Sequence, residues 1–440
     1  MSFITRLIAF LTALIMALSG TGASVIGATD KTPVKVTRRD YVFDRDRLLF
    51  GAYCMNTGVA NRIELLQWFK EAGLEFFVQT GGGDLTDDVL SFCDENGIGI
   101  LAANTAYNKT LTNPCVWGIN YRDEPSAKQF DEVAAGVAAE FERDATRLPY
   151  VNLFPMYASS EQLGETADDV FGANDMTTVD SLNVDSIRYR KHISDYVGTF
   201  DLDILSVDIS PLHWNAGTHK QEASYEKWLR NLDILSEACR LNNIDYWVIT
   251  QAAGEAGGSM KYCDTDVDQR WQNYVTLAFG PKAIIYACYY TGWWDGDSHL
   301  IDNNGERTDT YYAVQKVNTE MAPFADVYAD YEHVGTYLPN KLRAAGAKLD
   351  LVGVKDEDKP RTETVDPVLT GIFKEKDGAG KAYVFTNMYE TSKEKTASFR
   401  TTFEGASEIT LYRMGKKTVI SGNVLSLVLQ PGEGVFVTVR

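Results

Sequence analysis

The chain has 440 residues, of which 45% are hydrophobic and 23% charged, a composition typical of a folded globular protein and not of a disordered one. Its formal net charge of −19 argues against nucleic acid as a partner, because phosphate binding needs a basic face. A chain of this length can hold one α/β barrel of about 250 residues and a smaller module.

Residues 1–28 have the form of a secretory signal peptide. Arg6 supplies the positive charge, and the apolar run from Leu7 to Leu18 is shorter than the roughly 20 residues that a membrane span needs. Small residues then offer cleavage sites after Ala23 or Ala28. We therefore expect a secreted, extracellular protein with no stable membrane span after cleavage. The alternative is an uncleaved N-terminal anchor.

A polar lead-in, residues 29–47, precedes a region of alternating strands and helices, residues 48–330. Strand-like apolar runs occur in this order: Leu48–Met55, Leu74–Gln79, Ile98–Ala103, Val116–Arg122, Pro149–Tyr157, Leu202–Ile209, Asp245–Thr250 and Ala283–Tyr290. Helical patterns alternate with them: Asn61–Ala72, Asp87–Glu95, Ser126–Asp144, Val184–Val197, Glu222–Leu241, Val267–Ala278 and Thr310–Met321. This alternation predicts a closed (β/α)8 barrel of the TIM type. The alternative is a doubly wound open sheet, which usually has a nucleotide-binding loop near its start.

The sequence pattern changes after the barrel region. Residues 331–367 are predicted to connect two domains, because Asp356 to Pro367 is charged and contains proline. Residues 368–440 are predicted to form a small antiparallel β-sandwich. Its expected strands are Leu369–Phe373, Ala382–Asn387, Thr396–Phe403, Glu408–Arg413, Val424–Leu429 and Gly434–Val439.

The fourth barrel strand ends in three charged residues, Arg122, Asp123 and Glu124. Side chains of a strand alternate between its two faces. The alternation predicts an apolar face that includes Trp117 and Tyr121, and a second face that carries Arg122 and Glu124 toward the barrel opening. The alternative is that Asp123 and Glu124 only begin the next helix, whose N-terminus favours acids.

Active sites of parallel barrels lie at the C-terminal ends of the strands. The other predicted strand ends supply further polar and aromatic candidates. These are Asn152 and Tyr157 after the fifth strand, Asp208 and His213 after the sixth, Gln251 and Glu255 after the seventh, and Tyr290, Trp293 and Trp294 after the eighth.

Paired carboxyl groups with aromatic walls suit the hydrolysis of glycosides, in which one carboxyl group protonates the leaving oxygen and another attacks carbon or activates water. Glu124 is the predicted acid, and Asp208 and Glu255 are the candidates for the second catalytic carboxylate. Asp208 could instead be a structural carboxylate, and Glu255 a solvated loop acid. The residues predicted to bind substrate are Arg122, Asp123, Asn152, Tyr157, His213, Gln251, Tyr290, Trp293 and Trp294.

Other chemistries find less support in the sequence. The 5 histidines form no His-x-His or His-Glu-x-x-His pattern, and no Gly-x-Ser-x-Gly nucleophile motif is present. We therefore predict neither a metal nor another cofactor, and a carbohydrate as the partner.

Three segments carry a resemblance to a known group of enzymes. Residues 117–126, Trp-Gly-Ile-Asn-Tyr-Arg-Asp-Glu-Pro-Ser, resemble the fourth strand of clan A glycoside hydrolases. Residues 150–158 and 205–208 resemble secreted bacterial proteins related to the family 42 β-galactosidase-like barrels. The resemblance implies a barrel with a C-terminal β-sandwich and Glu124 as the acid/base. The usual nucleophile of the clan is a glutamate at the end of the seventh strand, where this chain has Gln251.

The sequence as a whole thus predicts a secreted glycoside hydrolase that acts on an oligo- or polysaccharide. Because a glutamine cannot be a carboxylate nucleophile, the alternative is a glycan-binding barrel that has lost hydrolysis.

Overall fold

The computed structural model describes residues 36–56 apart from 37, 61–164, 181–215, 220–255 apart from 224, 258–290, 295–338 and 358–440. The predicted signal peptide lies outside the described residues, as do Trp293 and Trp294.

Within these described ranges, ten strands precede the C-terminal sheets, and eight of them form a closed barrel in the order β1-β10-β9-β6-β5-β4-β3-β2, with every neighbouring pair parallel. This closure confirms the predicted barrel and excludes the open doubly wound sheet. The remaining two strands, β7 and β8, pair as an antiparallel hairpin at the C-terminal end of β6. The ten strands are Leu49–Asn56 (β1), Phe76–Thr80 (β2), Gly99–Ala103 (β3), Val116–Asp123 (β4), Leu148–Leu153 (β5), Ile204–Ile209 (β6), Leu212–Asn215 (β7), Lys220–Ala223 (β8), Asp245–Gln251 (β9) and Ala283–Ala287 (β10).

Helices occupy most of the connections between the barrel strands. Along the part of the chain that the structure describes, no helix is long and apolar enough to cross a bilayer. The helices are Ile63–Leu66 (α1), Asp87–Asn96 (α2), Phe130–Arg143 (α3), Ser160–Leu163 (α4), Ser181–Thr199 (α5), Tyr225–Asn242 (α6), Asp266–Leu277 (α7), Asp309–Met321 (α8) and Ala325–Ala329 (α9).

Aromatic rings fill the barrel interior near the N-terminal ends of its strands. Glycines on two strands make room for them, since a Cβ at Gly51 would lie 2.5 Å from the Phe76 ring and one at Gly99 would lie 2.2 Å from the Trp117 ring. Phe76 also packs against Trp247, with ring centroids 5.1 Å apart. The interior is therefore a packed core, as in other closed barrels of eight strands.

The end of the lead-in closes the N-terminal face of the barrel. Phe43 stacks on Trp117 with ring centroids 4.6 Å apart. Arg45 forms ion pairs of 2.6 Å with Asp203 and with Asp245, which lie at the start of β6 and β9. Chemistry that needs an open face therefore belongs at the opposite, C-terminal end.

Two antiparallel sheets follow the barrel and confirm the predicted β-sandwich. The larger has the order β11-β13-β14-β19-β16-β17, and the smaller β12-β15-β18. Strands β11 and β12 belong to the segment predicted only to connect the domains, so that segment contributes to both sheets. The strands are Tyr331–Tyr337 (β11), Arg361–Glu363 (β12), Val368–Glu375 (β13), Lys381–Asn387 (β14), Ala397–Thr402 (β15), Glu408–Arg413 (β16), Lys416–Ser421 (β17), Val424–Leu429 (β18) and Gly434–Val439 (β19).

Candidate active site

Strand β4 ends at Asp123, and Glu124 leaves it with a positive φ of 45°. Such a backbone conformation costs a residue other than glycine about 1–3 kcal/mol. The amide of Glu124 donates to the carbonyl oxygen of Asn152 at 2.8 Å, which helps to hold the chain in this conformation. The next α-helix begins only at Phe130, behind a 3₁₀ turn over Ala127–Gln129. The alternative in which Asp123 and Glu124 begin that helix is therefore wrong.

A β-bulge turns Asp123 toward the barrel interior. Asn120 pairs with Tyr150 of β5, whereas Asp123 pairs with Asn152, so β4 advances by three residues while β5 advances by two. The extra residue reverses the alternation of faces beyond the bulge. The predicted face that carried Arg122 is therefore wrong at this end of the strand, because Asp123 takes the position opposite Asn152.

Asn152 joins two of the predicted carboxylates. Its Nδ2 donates to Oδ1 of Asp123 and to Oδ1 of Asp208, at 3.1 Å in each case. Its Oδ1 accepts the hydroxyl proton of Ser206 at 3.0 Å, and that hydroxyl oxygen lies 2.6 Å from the hydroxyl of Tyr150. Asn152, Ser206 and Tyr150 are buried, and their hydrogen bonds form one continuous network that ends at the carboxyl groups of Asp123 and Asp208.

The carboxyl group of Glu124 lies close enough to that of Asp208 for each to affect the pKa of the other. Burial raises the pKa of Glu124 well above its usual range, and the charges of Asp208 and Asp123 raise it further. Burial and Asp123 also raise the pKa of Asp208, but the hydrogen bond from Asn152 opposes that shift. Burial and the neighbouring negative charges thus favour the protonated form of Glu124.

Asp123 lies beside Glu124 and Asp208 and is exposed to solvent. Desolvation by the surrounding protein raises the pKa of Asp123, while the hydrogen bond from Asn152, the neighbouring Tyr53 hydroxyl and the charge of Arg122 lower it. The site thus combines Glu124, whose raised pKa favours its protonated form, with two carboxyl groups that accept hydrogen bonds from Asn152.

Tyr157, in the loop after β5, lies beside Asp208 and Glu124. It is 42% exposed, and its hydroxyl oxygen accepts a hydrogen bond from the amide of Ser210 at 3.1 Å. Burial of the hydroxyl end raises the pKa of Tyr157, and the charges of Asp208 and Glu124 raise it further. Tyr157 therefore offers an aromatic surface next to the carboxyl cluster.

Gln251 ends β9 and is completely buried. Its Oε1 accepts from the amide of Leu212 at 2.9 Å, and its Nε2 donates to the carbonyl oxygens of Leu212 and Lys261 at 3.1 and 2.9 Å. These bonds fasten β7 and the loop after β9 to the barrel. The predicted role in substrate binding stays a prediction, and this position favours a structural role.

Three further candidates lie after barrel strands at the same end. His213 Nε2 is 3.1 Å from the carbonyl oxygen of Ser210, and burial lowers the pKa of His213. Tyr290 is 8% exposed and accepts a 3.4 Å hydrogen bond from Arg62. Glu255 lies in the loop after β9, and its carboxylate covers Gly258, where a Cβ would come within 2.0 Å of it. Their predicted roles stay predictions.

The structure thus brings Asp123, Glu124, Asn152, Asp208 and Tyr157 together. Sequence reasoning missed three supporting residues: Tyr53, Tyr150 and Ser206. Ser206 shares the face of Asp208 on β6, which was a usable signal. Tyr53 and Tyr150 sit in apolar runs, where a tyrosine is indistinguishable from ordinary core.

Chemically, the cluster can donate a proton from Glu124 to a bound oxygen and stabilise positive charge with Asp123 and Asp208. Among the residues that the structure describes, no group of three His, Cys, Asp or Glu side chains is placed to hold a metal ion.

The chain matches no protein-family model and no curated relative. Among solved structures, it is similar to a β-galactosidase from Bacillus circulans sp. alkalophilus, with 8% identity over 90% of this chain and 99% of that chain and a TM-score of 0.46. It is also similar to α-galactosidase I from Mortierella vinacea, with 11% identity, 90% and 97% coverage and a TM-score of 0.37. An endo-β-1,4-mannanase from Thermotoga petrophila has 8% identity, 89% and 93% coverage and a TM-score of 0.38. These TM-scores are too low to support conclusions about function, and the barrel is identified from the pairing of its strands alone.

Proposed function

We propose that this protein is a glycoside hydrolase that cleaves an O-glycosidic bond of an oligo- or polysaccharide, with Glu124 as the proton donor. The observation that carries the proposal is the carboxyl cluster at the C-terminal end of the barrel, where Asn152 joins Asp123 and Asp208 and burial raises the pKa of the neighbouring Glu124. A carboxylic acid that keeps its proton near neutral pH is what a general acid requires.

In the proposed reaction, Glu124 gives its proton to the glycosidic oxygen. The bond from the anomeric carbon to that oxygen breaks, and its electron pair stays on the leaving oxygen. Water adds to the anomeric carbon and loses one proton to a carboxylate, so that one water is consumed for each bond cleaved. The candidates for the second carboxylate are Asp208 and Glu255.

The substrate side of the proposal rests on Tyr157 and Asp123. An exposed aromatic ring can pack against the apolar face of a sugar ring. Asp123, which is exposed beside Glu124 and Asp208, can accept hydrogen bonds from sugar hydroxyl groups. We therefore place the sugar that is cleaved between Tyr157 and the carboxyl cluster.

The test is Glu124→Gln, which keeps the size of the side chain and removes the acidic proton. Turnover of a susceptible polysaccharide should fall about 10²–10⁴-fold, the usual contribution of a general acid. Aryl glycosides with good leaving groups should lose less, because their oxygen needs no proton to depart. Glu161→Gln, an exposed glutamate of α4, is the matched control. Full activity of Glu124→Gln on the polysaccharide would overturn the assignment.

A specific observation favours a second function, glycan binding without hydrolysis. The residue at the end of β9 is a glutamine whose amide is held by backbone groups, so it supplies no nucleophile. The two functions separate when a broad panel of aryl glycosides and polysaccharides is assayed for turnover and for binding in parallel. Binding with no turnover by the wild-type protein would support the second function.

We also propose export from the cell, on the pattern of Arg6 and the apolar run Leu7–Leu18. Expression of the full chain in a bacterium should place it outside the cytoplasm, with an N-terminus after Ala23 or Ala28. Intact-mass measurement of the exported protein identifies the cleavage site. Retention of residue 1 on a cytoplasmic product would contradict the proposal.

A further inference from the structure

We infer that Asn152 is a positioning residue that holds Asp123 and Asp208 in place as ionised carboxylates, and that it does not itself bind the substrate. This inference rests on the proposed function for its catalytic meaning. Its structural content, an amide whose two donors are used on two carboxyl groups, can be tested without turnover.

Burial separates Asn152 from the substrate. Its side chain is completely buried, as is that of Ser206, and Tyr150 is 1% exposed. Asp123, in contrast, is exposed at the end of β4. A side chain without exposed surface affects a bound sugar through the residues that it contacts, so the predicted role of Asn152 in substrate binding gives way to one in positioning.

The pairing of three strands places Asn152 between its partners. Asp123 of β4 pairs with Asn152 of β5, and Asn152 pairs with Ser206 of β6. Asp208 lies two residues further along β6 and therefore shares the face of Ser206. The β-bulge in β4 is what brings Asp123 into this row, since such a bulge redirects the side chains that follow it.

The hydrogen bonds of Asn152 have a defined direction. Its Nδ2 lies 3.1 Å from Oδ1 of Asp123 and 3.1 Å from Oδ1 of Asp208, so each of its two N–H groups meets one carboxyl group. The reverse orientation would set the amide oxygen against two carboxylates, which are acceptors only. Its Oδ1 instead accepts the hydroxyl proton of Ser206 at 3.0 Å. Because that proton is used, Tyr150 donates to the Ser206 oxygen at 2.6 Å.

This chain of donors acts on the charge of the two aspartates. Desolvation raises the pKa of Asp123 and of Asp208, and the hydrogen bonds from Asn152 lower both. A donor stabilises the ionised form of a carboxyl group more than the protonated form. Asn152 thus opposes the effect of desolvation and keeps two negative charges at the site, where they stabilise the positive charge that develops at the anomeric carbon.

Other titratable groups also face the two aspartates, and they come from several elements. They are Arg122 and Glu124 at the end of β4, Tyr53 of β1, Tyr150 of β5, Tyr157 of the following loop and Tyr189 of α5. The substitutions proposed as tests leave all of these groups in the chain. A change in the pH profile therefore reports on the amide of Asn152.

The kinetic test is Asn152→Leu, which keeps about the volume of the side chain and removes both donors. The acid limb of the kcat/KM profile should move to higher pH by about 1 unit, the usual effect of one hydrogen bond to a carboxylate, while activity recovers at alkaline pH. A residue that merely joined the strands would lower activity equally at every pH. An acid limb that stays in place would therefore overturn the inference.

Ser206→Ala tests the network at one remove, because Ser206 acts on the aspartates through Asn152. It leaves Oδ1 of Asn152 without its donor and should move the acid limb in the same direction by a smaller amount. Ser206→Thr keeps the hydroxyl and should retain the wild-type profile. Thr250→Val, which removes a buried hydroxyl of β9, is the matched control and should also leave the profile unchanged. A Ser206→Ala profile identical to that of the control would contradict the proposed network.

The side-chain amide signal of Asn152, followed by ¹⁵N NMR in asparagine-labelled protein, gives a readout independent of catalysis. In the wild-type protein, its two protons should exchange slowly with solvent, and its shift should follow a titration of the aspartates. In Ser206→Ala, that titration should occur at higher pH. An amide that exchanges rapidly and does not respond to pH would overturn the inference even if Asn152→Leu fails to fold. Wild-type protein that hydrolyses nothing but has the protected, titrating amide would overturn the proposed function alone.

Discussion

At the scale of single residues, Glu124 combines several features that are unfavourable for folding. Its backbone has a positive φ, its carboxyl group is partly buried, and two other carboxyl groups lie beside it. Each feature opposes folding on its own, and together they are typical of a site kept for chemistry. The hydrogen bond from the Glu124 amide to Asn152 helps to hold this arrangement in place.

Stability should therefore depend on pH through Glu124. Its pKa is raised in the folded protein, so the folded state binds the proton more tightly than the unfolded chain does. Stability must then fall as pH rises from the ordinary glutamate value, about 4.3, through the raised value. Glu124→Gln removes the titrating group, and at about pH 9 it should be more stable than the wild-type protein by at least about 1.4 kcal/mol, the equivalent of one pKa unit.

Urea unfolding of both proteins at about pH 4 and about pH 9 measures this effect, because the linkage is confined to the range between the two pKa values. The two proteins should differ little at the acidic value. Glu161→Gln should follow the wild-type protein at both. A difference between wild type and Glu124→Gln that is the same at both pH values would contradict the linkage.

At the scale of elements, the strand runs could be predicted to within a few residues, and their register could not. The predicted bounds of β16, β18 and β19 agree with the structure residue for residue. The periodic pattern of β4 gave its position, but the bulge opposite β5 depends on pairing between strands that the local sequence does not specify. That one extra residue decides whether Asp123 or Arg122 enters the site.

Most of the strands that sequence analysis missed are short or polar, although β11 has 7 residues. The hairpin of β7 and β8 has strands of 4 residues each, and β12 has 3. Strand β17 begins Lys-Lys-Thr and lies at the edge of its sheet, where lysines discourage pairing with other chains. That Glu124 and Asp208 lie at the same end of the barrel was predicted from their positions at strand ends, but the part of Asn152 in joining Asp123 to Asp208 was not, because it depends on the pairing of β5 with β4 and β6.

Close packing of β4 on β5 gives a prediction at this scale. A Cβ added at Gly118 would lie 2.0 Å from the carbonyl oxygen of Leu148, so the strands would have to separate. Gly118→Ala should cost about 1–3 kcal/mol or more of stability, as overpacking does, and should weaken the proposed activity by moving Glu124 relative to Asn152. Urea midpoints and turnover measure the two effects.

Gly82→Ala is the matched control for this substitution, because a Cβ at Gly82 meets no atom within 4 Å. Its effect should stay within about 0.5 kcal/mol, as for other surface changes. Equal stability of the two variants would show that β4 and β5 can separate without cost, contrary to the packing described.

At the scale of the whole molecule, the hydrophobic core of the barrel extends onto one face of the larger C-terminal sheet, while a second core lies within the sandwich. Phe436 of β19 packs against Phe324 and Tyr328 of the barrel's last helical turns, with ring centroids 5.1 and 5.6 Å apart. Trp271 of α7 donates its indole N–H to the carbonyl oxygen of Asn387 at 2.9 Å. Buried apolar and polar contacts thus join the two parts, and we expect them to unfold together.

Tryptophan fluorescence can test this coupling, because all 8 tryptophans precede residue 331 and report on the barrel part of the chain alone. Phe436→Ala, a change within the sandwich, should lower the stability seen by tryptophan fluorescence by about 3–5 kcal/mol, the usual cost of removing a buried phenylalanine side chain. Far-UV circular dichroism should give the same urea midpoint. Val419→Ala on β17, where Val419 is 56% exposed, should leave both signals unchanged. An unchanged fluorescence midpoint, with a separate early transition in the dichroism, would mean that the sandwich unfolds by itself and that the shared core does not couple it to the site.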